Sequence, residues 1–448
     1  MKIMLVIVIL FVNYSAGFSQ ASAYEPDHLF PTNELKEDLR FLKDSLEKKH
    51  PALYRYISKP ELDAVFDSLD HAIACPLNEQ EFLSLVTLLH ASIKDGHTIF
   101  LPSEGAMEYL NTKERLLPLA VVIIKGKLFV AENWSGDSSI QCGEEIMNIN
   151  GISAVAVLSQ LLRRQIRDGQ NQTYPIWILN QYFAPHYSFV YGHPERFTLG
   201  LKNAQGVFHT MQVMALKKDN IKVYRQKRYP ARYLLPNDGK GIILEEKKDG
   251  VSAILTLRSF DTAMLNETYK QAFNQVIDRV FRHLQLHHIH NLILDLRGNQ
   301  GGDFESGRYL LSYLFTKPSM YLVGGKESRM IQPQKNHFAG KLIVLINGGS
   351  FSNSGIVSAC LEREQRAIFI GEETGGNKYV ISGDPEELIL PHTRISCNIS
   401  TTEFRISKGV NREHGVVPGY PVSASLEDLL NERDTAMELA LKLISQNR

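Results

Sequence analysis

From about Gly239 onward, short apolar runs alternate with segments whose apolar residues have helical spacing, and this order constrains the fold more than any other feature. The predicted strands are 251–257, 291–296, 342–346 and 367–370, and the predicted helices are 266–283, 304–314 and one that follows Ser352. Strands that alternate with helices form a mostly parallel sheet in a layered α/β domain. Such a sheet binds ligands at the carboxyl ends of its strands.

One glycine-rich turn, NGGSFSNSG at Asn347–Gly355, joins a predicted strand to a predicted helix. A serine at that junction, such as Ser352, points its hydroxyl away from the sheet. The unpaired N–H groups of the first helical turn and the positive end of the helix dipole face the same space, so an anion that forms there is stabilised. The alternative is that these residues only cap the helix, since Ser and Asn are preferred N-caps and caps vastly outnumber nucleophiles.

A second glycine-rich turn, DLRGNQGG at Asp295–Gly302, also lies between a predicted strand and a predicted helix. Its glycines allow backbone N–H groups to approach a reacting carbonyl closely. A phosphate cradle is disfavoured because the turn has neither a Gly-Lys-Ser/Thr ending nor GxGxxG spacing. Asp295 and Arg297 are predicted to form an internal ion pair at the strand end rather than to contact substrate.

The first 23 residues have the form of a signal peptide: Lys2, an apolar core at 3–12, then the Ala21-Ser-Ala23 triplet with cleavage before Tyr24. Cleavage after Gly17 or Ala21 is the alternative. No later stretch is apolar and long enough to span a membrane, so a secreted or periplasmic protein is expected. Lys plus Arg and Asp plus Glu both number 49, without a basic block, which gives no electrostatic reason to bind nucleic acid.

Composition changes along the chain predict three further regions. Residues 24–105 have helical spacing, with apolar positions Leu35, Leu39, Leu42 and Leu46. Residues 106–235 contain strands near 119–124 and 127–131, then a strand, turn and helix from Gly143, in an order that resembles the PDZ family. Its aromatic-rich part up to Tyr191 indicates an insertion or a degenerate version. Residues 236–448 form the α/β core. The four scattered cysteines have no CxxC or metal-ligand spacing, and Cys360 is expected to be buried.

Three blocks in order, 292–302, 344–354 and 370–376, with GVVP at Gly415–Pro418, resemble the tail-specific or C-terminal processing peptidases, which include the tricorn-like peptidases. The resemblance implies a core like the ClpP and crotonase type of α/β fold. It also implies Ser352 as the nucleophile, with Ser350 and Ser354 as fallback candidates. The oxyanion hole is implied to combine an N–H of Gly301 or Gly302 with that of Asn353. Like its relatives, the chain is expected to need no cofactor and to act on polypeptides.

At the position of the general base, this sequence differs from the Ser-Lys branch of that family. The expected lysine position holds Asn377, with Lys378 adjacent, and the supporting acid position holds Gly355. The tricorn-like branch implies His97, in the Asp95-Gly-His97-Thr element, as the base; without the resemblance His97 is more simply a polar loop residue. Glu413 is the nearest counterpart of the orienting glutamate, with Glu403 and Glu372 as alternatives. The serine that precedes the family's histidine is Gly96 here.

A histidine-rich segment, His283, His287, His288 and His290, includes a pair four residues apart that could bind metal. These histidines lie between a predicted helix and the strand that begins at Asn291, away from the glycine-rich turns, so a solvated loop is favoured and no metal is predicted.

The sequence thus predicts an exported serine endopeptidase that cleaves unfolded or C-terminally recognised polypeptides through an acyl-enzyme. The alternative is a non-catalytic peptide- or lipid-binding protein on the same fold, since relatives in retinoid-carrying proteins resemble the peptidases. The oligomeric state is not predicted.

Overall fold

The computed structural model describes residues 24–230, 239–323, 329–408 and 414–446; the predicted signal peptide 1–23 and Glu413 lie outside them. The helices are α1 (Thr32–Lys49), α2 (Lys59–Ala72), α3 (Glu79–Val86), α4 (Leu89–Ile93), α5 (Glu104–Thr112), α6 (Ala154–Leu162), α7 (Thr173–Tyr191), α8 (Lys218–Arg228), α9 (Thr262–Tyr269), α10 (Phe273–Leu286), α11 (Phe304–Leu314), α12 (Asn353–Arg363), α13 (Leu426–Leu430) and α14 (Thr435–Ser445). The strands are β1 (Ile99–Leu101), β2 (Arg115–Leu116), β3 (Leu119–Ile124), β4 (Lys127–Asn133), β5 (Glu145–Ile149), β6 (Ile152–Ser153), β7 (Arg196–Lys202), β8 (Phe208–Met214), β9 (Leu216–Lys217), β10 (Ile242–Glu246), β11 (Ser252–Leu257), β12 (Asn291–Asp295), β13 (Ser319–Leu322), β14 (Arg329–Ile331), β15 (Lys341–Ile346), β16 (Ile368–Gly371), β17 (Val380–Gly383), β18 (Glu386–Ile389), β19 (Ser396–Ile399), β20 (Thr402–Arg405) and β21 (Tyr420–Pro421).

The first of two compact units contains the described residues up to Ile93 together with His97–Lys113 and Ser382–Glu403. Its helix α1 buries the predicted apolar face: Leu35, Leu39, Leu42 and Leu46. The unit also contains a three-stranded antiparallel sheet in the order β1-β19-β18. Ser382–Glu403, which the sequence analysis assigns to the α/β core, therefore packs with the N-terminal helices instead.

The second unit contains Lys94–Gly96, Glu114–Ile381 and the residues from Phe404 onward, and it holds two larger sheets. One is an antiparallel sheet in the order β3-β4-β5-β7-β8, with β6 paired to β5. Helices α6 and α7 lie between β6 and β7 in the chain. The second of them lies in the aromatic-rich part that is predicted to be an insertion or a degenerate version. It is kinked at Tyr182 (φ −136°), as expected because Pro185 removes a hydrogen bond to the preceding turn.

The other sheet has the order β10-β11-β12-β15-β16-β21 and is parallel except for the edge strand β10. Alternate side chains of its strands point to opposite faces. One face packs on helices α10, α11 and α12, and the other packs on α14 through Ala436, Ala440 and Ile444. Because both faces are covered, the strands read as continuous apolar runs. The predicted layered α/β core is confirmed.

Neighbouring strands of this sheet bring the glycine-rich turns to one edge. Asp295 of β12 lies opposite Leu345 of β15, and Ile346 lies opposite Gly371 of β16. The chain segments that leave these three strands therefore start side by side at their carboxyl ends.

One predicted helix is wrong: 266–283 is divided between α9 and α10. Lys270 adopts a left-handed conformation (φ 54°) that ends α9. The side chain of Gln271 then accepts the N–H groups of Gly241 and Ile242 at 2.7 and 2.9 Å and donates to the carbonyl of Ile242. The break thus supplies hydrogen-bond partners for the start of the edge strand, a tertiary effect that periodicity does not reveal.

Cys360 is fully buried, as predicted, and all four cysteines are free thiols. Within the described ranges, no helix combines the length and apolar character needed to cross a bilayer.

Candidate active site

Ser352 lies in the turn between β15 and α12 with φ 52° and ψ −124°. A positive φ is uncommon for a residue other than glycine, and such strain concentrates at functional sites. Ser352 occupies the N-cap position of α12, but its side chain makes no capping hydrogen bond with the helix. The geometry therefore does not support the interpretation of Ser352 as an ordinary helix cap.

The two fallback serines are placed differently. Ser350 Oγ donates to the carbonyl of Leu296 at 2.8 Å and accepts the N–H of Asn347 at 3.1 Å, so it fastens the two glycine-rich turns together. Ser354 is completely buried in the first turn of α12, and no hydrogen bond of its hydroxyl is found among the described residues. Ser350 and Ser354 have no exposed surface, whereas Ser352 is 8% exposed.

Asn299 joins the second turn to the first. Its carbonyl accepts the N–H of Phe351 at 3.1 Å, while its side chain accepts the N–H of Gly301 at 2.9 Å. Gly301 (φ 96°) lies so close to Ser352 that a Cβ on it would come within 2.8 Å of the Ser352 Cβ and 2.7 Å of the Asn353 nitrogen. Only glycine fits there, and the structure brings the predicted residues Gly301, Ser352 and Asn353 together.

Two backbone N–H groups of these turns are directed away from the neighbouring backbone. Phe260 pairs with this turn through the carbonyl of Gly301 and the N–H of Asp303, so the N–H of Gly302 between them points to the opposite side. Asn353 is the first residue of α12, and its N–H has no acceptor within the helix. No hydrogen bond of either N–H appears among those of the described residues.

Asp168 is a buried residue that the sequence analysis missed. Its carboxylate accepts the N–H of Gly96 at 2.8 Å and that of Asn377 at 3.2 Å. A Cβ on Gly96 would lie 2.6 Å from the Phe351 ring and 3.0 Å from Asp168 Oδ1. This crowding explains why the chain has glycine where the family it resembles has serine.

The aromatic segment at the start of α7 packs over both turns. Tyr174 stacks on Phe351 with ring centroids 4.1 Å apart, and burial raises its pKa above the ordinary value. The indole of Trp177 lies against Gly349, where a Cβ would be 2.4 Å from the ring. The aromatic richness of the segment was the signal in the sequence, but nothing there indicated its location.

The candidates for a lysine base are directed elsewhere. Lys378 Nζ forms an ion pair with Glu362 at 2.9 Å, near the far end of α12. With a rise of 1.5 Å per residue, Glu362 lies about 15 Å along the helix from Ser352. The side chain of Asn377 accepts the N–H groups of Tyr379 and Val380. The geometry therefore gives no support to Lys378 as a base for Ser352.

The remaining predicted residues are not all described. His97 is buried and belongs to the first unit, directly after Gly96 of the second. Glu413 lies outside the described residues. Of its alternatives, Glu403 pairs with Arg55 at 2.8 Å, and Glu372 contributes its N–H to the carbonyl of Ile346.

The predicted ion pair at the end of β12 is confirmed, and it has a third member. Arg297 contacts Asp295 at 2.7 Å and Asp434, the N-cap of α14, at 2.8 Å. Burial raises the pKa of Asp434, but hydrogen bonds from Arg297 and the N–H of Met437 more than offset it, so the pKa lies below the ordinary value.

Replacing Asp434 with Asn keeps a capping side chain but removes the charge, and we expect a lower melting temperature at pH 7. Because the pKa of Asp434 is depressed on folding, its stabilisation is present above the unfolded value near 3.9 and is lost as pH falls through the folded value. The effect at pH 7 is at most about 1 kcal/mol because Asp434 is half exposed. Thermal unfolding of both proteins from pH 7 downward measures it; a difference that persists unchanged at strongly acidic pH would contradict the assignment.

Comparison with known proteins agrees with this arrangement. Residues 252–418 match the model of peptidase family S41. The chain is similar to mature CPAF, with 15% identity and a TM-score of 0.66 over 92% of this chain and 96% of that one. It is also similar to mature CPAF complexed with lactacystin, with 16% identity and a TM-score of 0.66 over 92% of this chain and 97% of that one. For a Parabacteroides merdae protein described as a peptidase, the identity is 16% and the TM-score is 0.50 over 92% of this chain and 96% of that one. No curated protein sequence matches the chain.

At these identities the solved structures show similarity of fold alone, whereas the family model covers specific residues. The matched range includes both glycine-rich turns, the strands β12 and β15 that precede them, and the helix that follows Ser352. The match to peptidase family S41 therefore covers residues 252–418, and it supports a serine peptidase.

Proposed function

We propose that this protein is an exported serine endopeptidase in which Ser352 is the nucleophile and His97 the general base. The observation that carries the proposal is the backbone of Ser352, held at positive φ between a strand end and a helix start, directly against Gly301. A sharp strand-to-helix turn of this kind exposes a nucleophilic hydroxyl above the sheet.

In the proposed reaction, Ser352 Oγ attacks the carbonyl carbon of a peptide bond while His97 takes the hydroxyl proton. The tetrahedral intermediate then expels the amine, which receives that proton from His97, and leaves an acyl-enzyme. Water, deprotonated by His97, attacks the ester and releases the carboxylic acid with regeneration of Ser352. Glu413 is proposed to orient the imidazole, as the resemblance implies.

For the oxyanion hole we favour the N–H groups of Gly302 and Asn353. Gly301 also borders Ser352, but its N–H already donates to the side chain of Asn299. The positive end of the α12 dipole adds to the field at Asn353. Donors of this kind typically contribute a few kcal/mol to the barrier.

The support for His97 comes from its neighbours in the chain. Gly96 touches the ring of Phe351, the residue before Ser352, and its N–H is held by Asp168. A second hydrogen bond fixes Lys94, whose carbonyl accepts the N–H of Gly169 at 3.0 Å. The segment that leads into His97 is thus fastened beside the turn of Ser352, and Asp168 acts as a positioning residue for it.

The substrate is proposed to be an unfolded or C-terminally recognised polypeptide. The antiparallel sheet with α6 and α7 fits a PDZ-like region at 106–235, and its outer strand β8 carries exposed backbone that an extended peptide could pair with. Export is proposed from the signal-like residues 1–23.

A serine-directed fluorophosphonate tests the active-site assignment. We expect one label per chain, located on Ser352 by peptide mass mapping, and much slower labelling of the His97→Ala protein. The Lys378→Ala protein is the matched control and should label at the wild-type rate. Labelling of another residue, or equal rates with and without His97, would contradict the proposal and favour a non-catalytic binding protein on this fold.

A further inference from the structure

Three side chains outside the proposed active site converge at the opposite end of the main sheet. They are Glu246, the last residue of the edge strand β10, and His283 and His287 at the end of helix α10. One potential ligand atom of each lies within 4.8 Å of those of the other two. Glu246 is 37 residues from His283 in sequence, so the sequence alone shows only the histidine pair.

We propose that these three residues bind a divalent transition metal ion such as Zn²⁺, which clips the edge strand to the helix. Glu246 Oε1 contacts His283 Nε2 and lies 3.8 Å from His287 Nδ1, so both imidazoles turn a nitrogen toward one carboxylate oxygen. A simple ion pair with Glu246 would require only one of the two imidazoles to face the carboxylate. Two imidazoles and a carboxylate suit zinc and its neighbours, whereas Mg²⁺ and Ca²⁺ prefer oxygen ligands alone.

The backbone holds the two histidines in helical register. The N–H of His287 donates to the carbonyl of His283 at 3.0 Å, and the two rings are stacked with centroids 4.0 Å apart. His288 then takes a left-handed conformation (φ 51°), and Ile289 N–H returns to Leu284 O at 2.9 Å. This hydrogen bond closes the helix in a Schellman motif, so His287 is not on a fraying end.

The side chains need only a small adjustment to bind an ion. Bonds of 2.0–2.2 Å in a tetrahedral site place ligand atoms about 3.4 Å apart. The side chains of Glu246 and His283 are each 36% exposed and that of His287 is 51% exposed, so each keeps a solvent-facing side toward which it can rotate. Water can complete the coordination, and the negative end of the helix dipole favours a cation there.

The position indicates a structural role rather than a catalytic one. Glu246 pairs with Ala253, which pairs in turn with Leu292, so the three residues lie near the amino ends of β11 and β12. The glycine-rich turns leave the carboxyl ends of the same sheet. An ion would therefore fasten the outermost strand without taking part in peptide hydrolysis.

Isothermal titration of metal-free protein without a histidine tag tests the site. We expect Zn²⁺ to bind with one equivalent that Mg²⁺ does not replace, and to raise the melting temperature. Glu246→Gln, His283→Ala and His287→Ala should each weaken that binding by more than about tenfold, since even outer-sphere partners are worth 10- to 100-fold. His290→Ala, which removes a nearby exposed histidine, is the matched control.

Labelling of Ser352 by the fluorophosphonate separates this inference from the proposed function. All three variants should retain wild-type labelling of Ser352, so loss of metal binding is read independently of the active site. Wild-type protein that does not bind Zn²⁺, or variants that bind it as tightly as the wild type, would overturn the proposal.

Discussion

Replacing Ser352 with Ala is expected to lower kcat/KM for an unfolded polypeptide by at least about 10⁴-fold, the scale seen when a serine nucleophile is removed. The loss is large because an acyl-enzyme cannot form without the hydroxyl. Alanine removes one hydroxyl that does not cap α12, so the melting temperature should change far less than kcat/KM. Steady-state cleavage of a fluorogenic polypeptide, with thermal unfolding in parallel, measures both quantities.

Ser354→Ala is the matched control because Ser354 lies in the same helix turn and is fully buried. Removing a hydroxyl without hydrogen bonds among the described residues is expected to be nearly neutral, so this variant should retain activity. If Ser352→Ala retained turnover and Ser354→Ala lost it, the nucleophile would be Ser354 and the geometric argument would fail.

Gly301→Ala is expected to have the second largest effect, on stability as well as on activity. Its new methyl group would be within 3 Å of the Ser352 Cβ and the Asn353 nitrogen, at a φ of 96°. A left-handed conformation costs alanine about 1–2 kcal/mol and overpacking costs about 1–3 kcal/mol. We therefore expect the free energy of unfolding to fall by roughly 2–5 kcal/mol. Because a displacement of about 1 Å in a catalytic group can cost 100-fold, kcat/KM should fall by at least about that factor.

Gly355→Ala provides the contrast from the same site. A Cβ on Gly355 would meet its nearest neighbours at 3.8 Å, and the residue lies within α12. Alanine in a helix is about 0.5–1 kcal/mol more favourable than glycine, so this variant should be as stable as the wild type or more so. Urea unfolding and kcat/KM of both variants test the pair; a harmless Gly301→Ala would mean that the two turns do not meet as described.

Much of the core follows from local pattern. The apolar runs near 292 and 342 are strands because covered parallel strands read as continuous apolar sequence, and α11 matches its predicted bounds, 304–314. The helix predicted at 266–283 failed because Lys270 and Gln271 serve the edge strand instead of continuing the helix. A contact with a distant strand overrode the periodicity.

The site divides in the same way. The turns that hold Gly301 and Ser352 were recognisable because glycine and serine at strand ends leave a local signature. Asp168 left no such signature, and Tyr174 left only an aromatic-rich segment of unknown location, because the carboxylate that holds Gly96 and the ring that stacks on Phe351 act across the chain. The sequence position of Lys378 made it a candidate base, and only its ion pair with Glu362 shows that its amine is directed elsewhere.

The sequence by itself determined the alternation that builds the sheet, the two glycine-rich turns and the serine between strand and helix, because these depend on residues close together in the chain. Only the tertiary structure shows that Gly301 lies against Ser352, that Asp168 holds the N–H of Gly96, and that Glu246 meets His283. The first depends on the register of neighbouring strands and the third on the packing of a helix beside the edge strand, and all of them join residues that are distant in sequence.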